Sequence, residues 1–274
     1  MNTILSTSQL IKKYGLDAKK SLGQNFILDK NFTDKIAKSA GDLSQSVVLE
    51  VGPGPGSLTR SILDAGAKKL IAIEKDQRCL QALAELKEFY GDRLEIINED
   101  ALEIDETKLF ADEEKFKIIA NLPYNIGTVL LIKWLKIAPK ISSMTLMLQK
   151  EVVERIIAKP NSNHYGRLAV MTNFLCESKM VFTVSNSVFT PPPKVTSAIA
   201  EITPRLQPLG DVEFSKLEKV VAAAFNQRRK MIKSALKPLF PSSEEILLQA
   251  GINPTLRAEN LTIEEFCKIA ALSC

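Results

Sequence analysis

The sequence contains one histidine, His164, and four scattered cysteines, Cys79, Cys176, Cys267 and Cys274, with no Cys-x-x-Cys pair. A single His leaves catalytic triads and histidine metal sites without partners, and "NSNHYGR" around it reads as an exposed polar loop. The cysteine spacing argues against a disulfide framework or a zinc site, so a reduced, cytoplasmic, metal-free protein is expected. No apolar run reaches bilayer-crossing length, and "MNTILSTSQLIKKYGLDAKKSLG" lacks the apolar segment of a signal peptide, so no membrane partner is expected. The net charge is only +4, a weak pointer to a polyanionic partner. Internal repeats and low-complexity tracts are missing as well.

What is present is a regular alternation. "SVVLEVG" (46–52), "KLIAIEKD" (69–76), "RLEIINED" (93–100), "FKIIANLP" (116–123) and "MTLMLQK" (144–150) read as buried strands, separated by amphipathic stretches such as "QRCLQALAELKEFYG". This pattern predicts an α/β fold with a parallel sheet covered by helices. "MVFTVSNSVF" and "SAIAEITPR" flank "TPPPK" and are expected to pair antiparallel at a sheet edge. From residue 211 onward the pattern is helical only, with "PSSEE" and "LTIEE" as helix starts. The expected domains are therefore 1–206 and a small all-α unit over 207–274.

"VLEVGPGPGSLTR" places Gly52, Gly54 and Gly56 between a strand and a helix, where a nucleotide-like cofactor docks. The spacing is Gly-x-Gly-x-Gly, and Pro53 and Pro55 have no N–H to offer a diphosphate. Glu50 adds negative charge suited to an ammonium or sulfonium. The loop fits S-adenosylmethionine better than NAD or ATP. Glu74 ends the second strand, where it can accept two ribose hydroxyls. Asp100 ends the third, placed to accept from an adenine amino group.

The fourth strand runs into "ANLPYN" (120–125). This suits methylation of an exocyclic amine, whose delocalised lone pair needs two acceptors more than a base. The Asn121 side-chain oxygen and the Leu122 carbonyl can supply them, Pro123 stiffens the loop, and Tyr124 offers a stacking face. A base reaches such a pocket only after leaving its stack. "SVFTPPPKV" presents Phe189 for the opposite face, or equally a core phenylalanine at a hairpin corner, with Lys194 beside it for a phosphate.

These stretches resemble the ribosomal RNA adenine N6,N6-dimethyltransferases, in their bacterial small-subunit branch. The carriers are "KKSLGQNFI" (19–27), "LEVGPGPGSLT" (49–59), "IEKD" (73–76), "NEDAL" (98–102), "NLPYNIGT" (121–128), "LQKEVVERI" (148–156), "YGRL" (165–168), "FTPPPKV" (189–195) and "AFNQRRKMI" (224–232). The resemblance implies a Rossmann-like, seven-stranded methyltransferase core, with residues 1–30 closing over S-adenosylmethionine. It implies that Gln24, Asn25 and Ile27 contact the cofactor beside Gly52, Glu74, Asp100 and Asn121. Asn121, Leu122 and Tyr124 would hold the adenine, with Phe189 opposite. Ile27 stands where the family usually has Leu, which suits a backbone contact. The implied reaction is four methyl transfers to two adjacent adenosines in a hairpin loop near the 3′ end of 16S rRNA, on a pre-30S particle, by a monomer. A loop is a suitable target because its bases are partly unstacked.

"FNQRRKMIKSALK" carries Arg228, Arg229, Lys230, Lys233 and Lys237 without an acid. On one continuous helix, Arg229, Lys233 and Lys237 would form a row able to track phosphates. Lys12, Lys13, Lys19 and Lys20 form a second basic cluster. Three rivals stand beside this reading: a resistance-type 23S rRNA enzyme, a non-catalytic assembly factor, and an NAD-dependent oxidoreductase.

Overall fold

The computed structural model describes residues 4–18, 24–110 and 115–272. The chain forms two compact units, one of Met1–Val153 with Lys179–Thr203, the other of Glu154–Ser178 with Pro204–Cys274. The division differs from the expected 206/207 boundary by three residues at 204–206 and by one further segment. Residues 154–178, which hold the end of the helix Lys150–Ile156, the helix over Arg167–Leu175 and the start of the strand after it, belong to the second unit.

In the first unit, α1 (Thr7–Tyr14) starts at a capping box between Ser6 and Gln9 and stops at Gly15 in the left-handed region. A two-residue strand, β1 (Phe26–Ile27), precedes α2 (Lys30–Ser39), whose N-cap Asp29 accepts from the amides of Asn31 and Phe32. Then come β2 (Val47–Val51), α3 (Ser57–Asp64), β3 (Lys69–Ile73), α4 (Leu80–Tyr90), β4 (Leu94–Ile97), β5 (Phe116–Asn121), α5 (Gly127–Leu135), β6 (Ile141–Gln149) and α6 (Lys150–Ile156), the last running across the unit boundary.

The seven-stranded sheet has the order β4-β3-β2-β5-β6-β9-β7, where β7 is Cys176–Val184 and β9 is Ser197–Pro204. Strands β4 to β6 are parallel and β9 runs antiparallel to β6. Every residue of β2 is buried, as its unbroken apolar run requires when both faces are covered. This is the expected methyltransferase-type α/β sheet, with β7 and β9 neighbours at one edge. The chain leaves β2 for β3 on one side and returns after β4 to β5 on the other. That reversal opens a crevice at the carboxyl ends of β2 and β5. A separate two-stranded sheet pairs β1 with β8 (Phe189–Thr190), Ile27 opposite Phe189.

The second unit contains α7 (Arg167–Leu175), α8 (Phe214–Asn226), α9 (Ile232–Leu236), α10 (Ser243–Gln249) and α11 (Ile263–Ala271). Phe225 sits between Tyr165 and Phe266 at ring-centroid separations of 6.0 and 5.7 Å. The buried Tyr165 hydroxyl donates to the Leu261 carbonyl. Thr262 and Glu265 complete the expected capping box of α11. Ser242 makes no capping bond at α10; Ser243 donates to the Lys233 carbonyl instead.

The single basic helix expected over 225–237 does not form. Helix α8 ends at Asn226, and Arg228, Arg229 and Lys230 occupy a turn before α9. The cause is non-local: Met231 bridges Arg257, and the Ile232 amide donates to the Leu256 carbonyl at 2.6 Å. With the backbone drawn away at 231–232, the i, i+4, i+8 row of Arg229, Lys233 and Lys237 is broken. No helix among the described residues is long and apolar enough to cross a membrane.

Candidate active site

Gly52, Gly54 and Gly56 follow β2 with φ of 70°, 56° and 85°, values only glycine adopts freely. They turn the chain sharply from β2 into α3 and leave space above the strand ends. Gly54 also lies against Phe26, which a Cβ would approach to 3.2 Å.

Gly56 serves packing, because a Cβ there would collide with Leu86 on α4. Gly56 is not among the residues lining the cavity described below, and its contact with Leu86 gives it a helix-packing role. Gly56→Ala is expected to destabilise the protein by about 2–4 kcal/mol, through left-handed strain and overpacking. Gly66→Ala, where φ is 95° but no atom lies within 4 Å of the new Cβ, should cost only about 1–2 kcal/mol. Chemical denaturation of both variants measures the difference.

A cavity of about 330 Å³ opens at the carboxyl ends of β2, β3 and β5. Gly52, Gly54, Glu74 and Asp100 line one part of it, with Gln24, Asn25 and Ile27 from the N-terminal segment. Asn121, Leu122, Pro123, Tyr124 and Phe189 line the rest. The carboxylates at successive strand ends and the "NLPY" loop thus share one chamber.

Glu74 is 5% exposed. Its Oε2 accepts from the Gly54 amide at 2.8 Å and its Oε1 from the Asp76 amide at 2.7 Å. Burial pushes its carboxyl up, against these two amide bonds. Each oxygen keeps a lone pair for a further donor. Asp100 is held by Lys75 at 2.6 Å and by the Leu102 amide at 3.0 Å, and the Lys75 bond leads in holding its carboxyl below the usual range. Asn121 donates from Nδ2 to the Asn25 carbonyl at 3.4 Å, so its Oδ1 is the end available as an acceptor. The Tyr124 ring is half-buried, and its hydroxyl shares a 2.7 Å hydrogen bond with Ser197 Oγ.

Gln24 bonds Asp76 at 3.0 Å. Arg78 pairs with the same carboxylate at 2.5 Å and donates to the Asp17 carbonyl at 3.2 Å. These contacts fasten the N-terminal segment beside the chamber.

Glu50 departs from expectation. It is 1% exposed and bonded by the Thr59 hydroxyl at 2.7 Å. Burial pushes its carboxyl up to about 8, with the charge of Glu74 adding to the effect. The fixed negative charge expected beside the loop is therefore mostly neutralised by a proton at pH 7. Because the folded value lies above the unfolded one, the unfolded state loses its proton first. Stability then falls as pH rises from about 4.5 to about 8, by up to about 1.4 kcal/mol per pH unit. Glu50→Gln should flatten that slope in melting curves recorded across pH 5–8.

Other expected residues stand apart. Phe189 lines the chamber, is 3% exposed and belongs to the hydrophobic core. Lys194 is exposed and does not line the chamber. In the second unit, Arg228 pairs with Glu259 at 2.9 Å and Lys233 with Glu244 at 2.9 Å, while Arg229, Lys230 and Lys237 are exposed. Lys13 pairs with Glu85 at 2.5 Å; Lys19 and Lys20 lie outside the described residues. Lys75, inside "IEKD", bonds Asp100 without a role read from the sequence, and Ser197 bonds Tyr124 without lining the chamber. Lys75 has a signal in its place between Glu74 and Asp76, but nothing in the spacing marks Ser197.

The profile of the family described as "Ribosomal RNA adenine dimethylase" matches residues 15–273. The chain belongs to that family. Among curated relatives of this dimethylase, the "Ribosomal RNA small subunit methyltransferase A" of Allorhizobium ampelinum is 54% identical over 266 residues, 96% of this chain and 95% of the relative. The protein of the same name from Ruegeria pomeroyi is 51% identical over 273 residues, covering 98% and 97%. Among solved structures, a dimethyladenosine transferase from Plasmodium falciparum superposes with a TM-score of 0.75 at 26% identity, covering 89% of this chain and 95% of the other. The 23S rRNA methyltransferase ErmE gives 0.68 at 28% identity, covering 90% and 98%.

The expected fold, enzyme class and family therefore stand. S-adenosylmethionine is the cofactor of this dimethylase, and the donor set fits it. The chamber offers carboxylates for hydroxyls and an amine, while the prolines at 53 and 55 withhold the amides a diphosphate needs.

Proposed function

We propose that this dimethylase methylates N6 of two adjacent adenosines in a hairpin loop near the 3′ end of 16S rRNA, through four methyl transfers. It acts as a monomer in the cytoplasm, on the assembling small subunit. The observation that carries the reading is the convergence of the Asn121–Tyr124 loop with Glu74 and Asp100 on one chamber.

Glu74 would hold the ribose hydroxyls and Asp100 the adenine end of S-adenosylmethionine, with Gln24, Asn25, Ile27, Gly52 and Gly54 completing its site. When bound, the cofactor supplies an electrophilic methyl on a sulfonium. Asn121 Oδ1 and the Leu122 carbonyl would accept the two N6 hydrogens of the target base, drawing its lone pair out of conjugation. Tyr124 would stack on one face of the base and Phe189 would bound the other, excluding water. The proton leaves the amine only after the methyl is attached, so no strong base is required. The amide at 121 suits that chemistry better than a carboxylate or imidazole.

The RNA grip is narrower than the sequence implies. Arg228 and Lys233 already pair with acids, so the exposed Arg229, Lys230 and Lys237 are the cations that would meet phosphates. Arg229→Glu with Lys230→Glu should weaken particle binding more than tenfold and flatten its salt dependence by about two counterions. Filter binding across a salt series measures both.

The small-subunit relatives above 50% identity favour 16S over 23S rRNA as the target, although ErmE shares the core fold at 28%. Incubation with undermethylated small and large subunits, followed by primer extension, tests this. Stops at paired adenines in 16S rRNA support the reading; stops in 23S rRNA alone overturn it. An inactive protein that still binds the particle would point to an assembly factor.

A further inference from the structure

Tyr124 and Ser197 are 73 residues apart in sequence but share a hydrogen bond of 2.7 Å. Each lies on or just after a strand that neighbours β6, near its carboxyl end and on opposite sides of it. On one side Asn121 stands opposite Met147, and the Leu122 amide donates to the Met147 carbonyl at 3.2 Å. On the other, Ser197 stands opposite Gln149, and the Lys150 amide donates to the Thr196 carbonyl at 2.9 Å. The Tyr124–Ser197 bond therefore crosses the tip of β6.

It also joins two loops. Tyr124 belongs to the loop leaving β5, and Ser197 opens β9 directly after the loop that follows Phe189 and Thr190. Tyr124 and Phe189 line the same chamber. Ser197 is fully buried, so its hydroxyl has little alternative to this partner and gives the phenol a fixed anchor. Burial pushes the Tyr124 phenol up, so the hydroxyl stays protonated at neutral pH.

We propose that Ser197 is a positioning residue that sets the tilt of the Tyr124 ring and, through the shared loop, the width of the slot between Tyr124 and Phe189. The inference rests on the proposal that Tyr124 stacks on the target adenine. Ser197 does not touch the base. It fixes the ring that does, and a slot of fixed width holds the base where its amine meets both acceptors. Loosening the ring should slow methyl transfer without weakening cofactor binding, since the cofactor's acids lie on other strands.

The test is a double-mutant cycle of Ser197→Ala and Tyr124→Phe in the full-length protein. It is read by single-turnover methylation of undermethylated small subunits and by calorimetry with S-adenosylmethionine. Each single variant should slow transfer about fivefold to tenfold, the size of one net hydrogen bond. The double variant should be no slower than the slower single one, and cofactor affinity should stay within about twofold of wild type throughout. Multiplicative losses in the double variant, a wild-type rate for Ser197→Ala, or a larger drop in cofactor affinity would overturn the positioning role. Ser197→Cys, close in volume, replaces Ser197→Ala in the cycle should the latter not fold. Tyr124→Ala probes the stacking reading separately. Full activity there removes the stacking role and this inference with it. An inactive Tyr124→Ala beside a fully active Ser197→Ala removes the inference alone.

Discussion

Asn121→Ala is expected to slow methyl transfer on the order of 100- to 1000-fold, the loss seen when one preorganised polar group is removed from a water-excluded site. The amide donates from Nδ2 to the Asn25 carbonyl, which leaves Oδ1 for the acceptor role proposed above. An alanine keeps the turn and the neighbouring Leu122 carbonyl but removes half of the grip on the amine. Binding of the small subunit should be unchanged, because the exposed cations of the second unit are untouched. Single-turnover rates and filter binding on the same particles separate the two effects. Retained activity would show that the Leu122 carbonyl suffices and that the amide has another role.

The second large effect is expected at Glu74. Glu74→Ala should weaken S-adenosylmethionine binding by about 100-fold or more, since two hydroxyl donors would lose a buried acceptor worth about 1.5–3 kcal/mol each. The same change strands the amides of Gly54 and Asp76, which both bond this carboxylate, so melting should fall as well. Glu74→Gln keeps the volume and one acceptor oxygen, and should lie between. Calorimetry with S-adenosylmethionine, with NAD as the control ligand, measures the loss. Heat from NAD with the wild-type protein would contradict the reading of the Pro53 and Pro55 loop.

Much of this site is legible in the residues because it sits at strand ends. The apolar runs of β2, β3 and β5 are buried on both faces, so their limits are sharp, and whatever follows each run falls at the sheet's carboxyl edge. Glu74 and Asn121 need only that rule, while Asp100 follows β4, which is half-buried over residues 95–97. The Glu50 charge does not follow, because depth of burial decides protonation and no local pattern reports it. The basic stretch fails for a related reason. Its helical period is intact through Lys237, but the pairing of residues 231–232 with 256–257 pulls the chain out of the helix. That partner lies far away in sequence. Residues 154–178 likewise join the second unit through tertiary contacts that helical periodicity does not encode. The Tyr124–Ser197 bond needs the full strand order to be seen at all.

The central claim is that the target adenine is held by the "NLPY" loop beside the cofactor. A crystal structure with S-adenosylhomocysteine and adenosine monophosphate tests it most directly. The adenine is expected to stack on Tyr124, with its N6 within hydrogen-bond reach of Asn121 Oδ1 and the Leu122 carbonyl oxygen. An adenine bound with N6 turned away from both oxygens, or outside the chamber that Glu74 and Asp100 line, would contradict it.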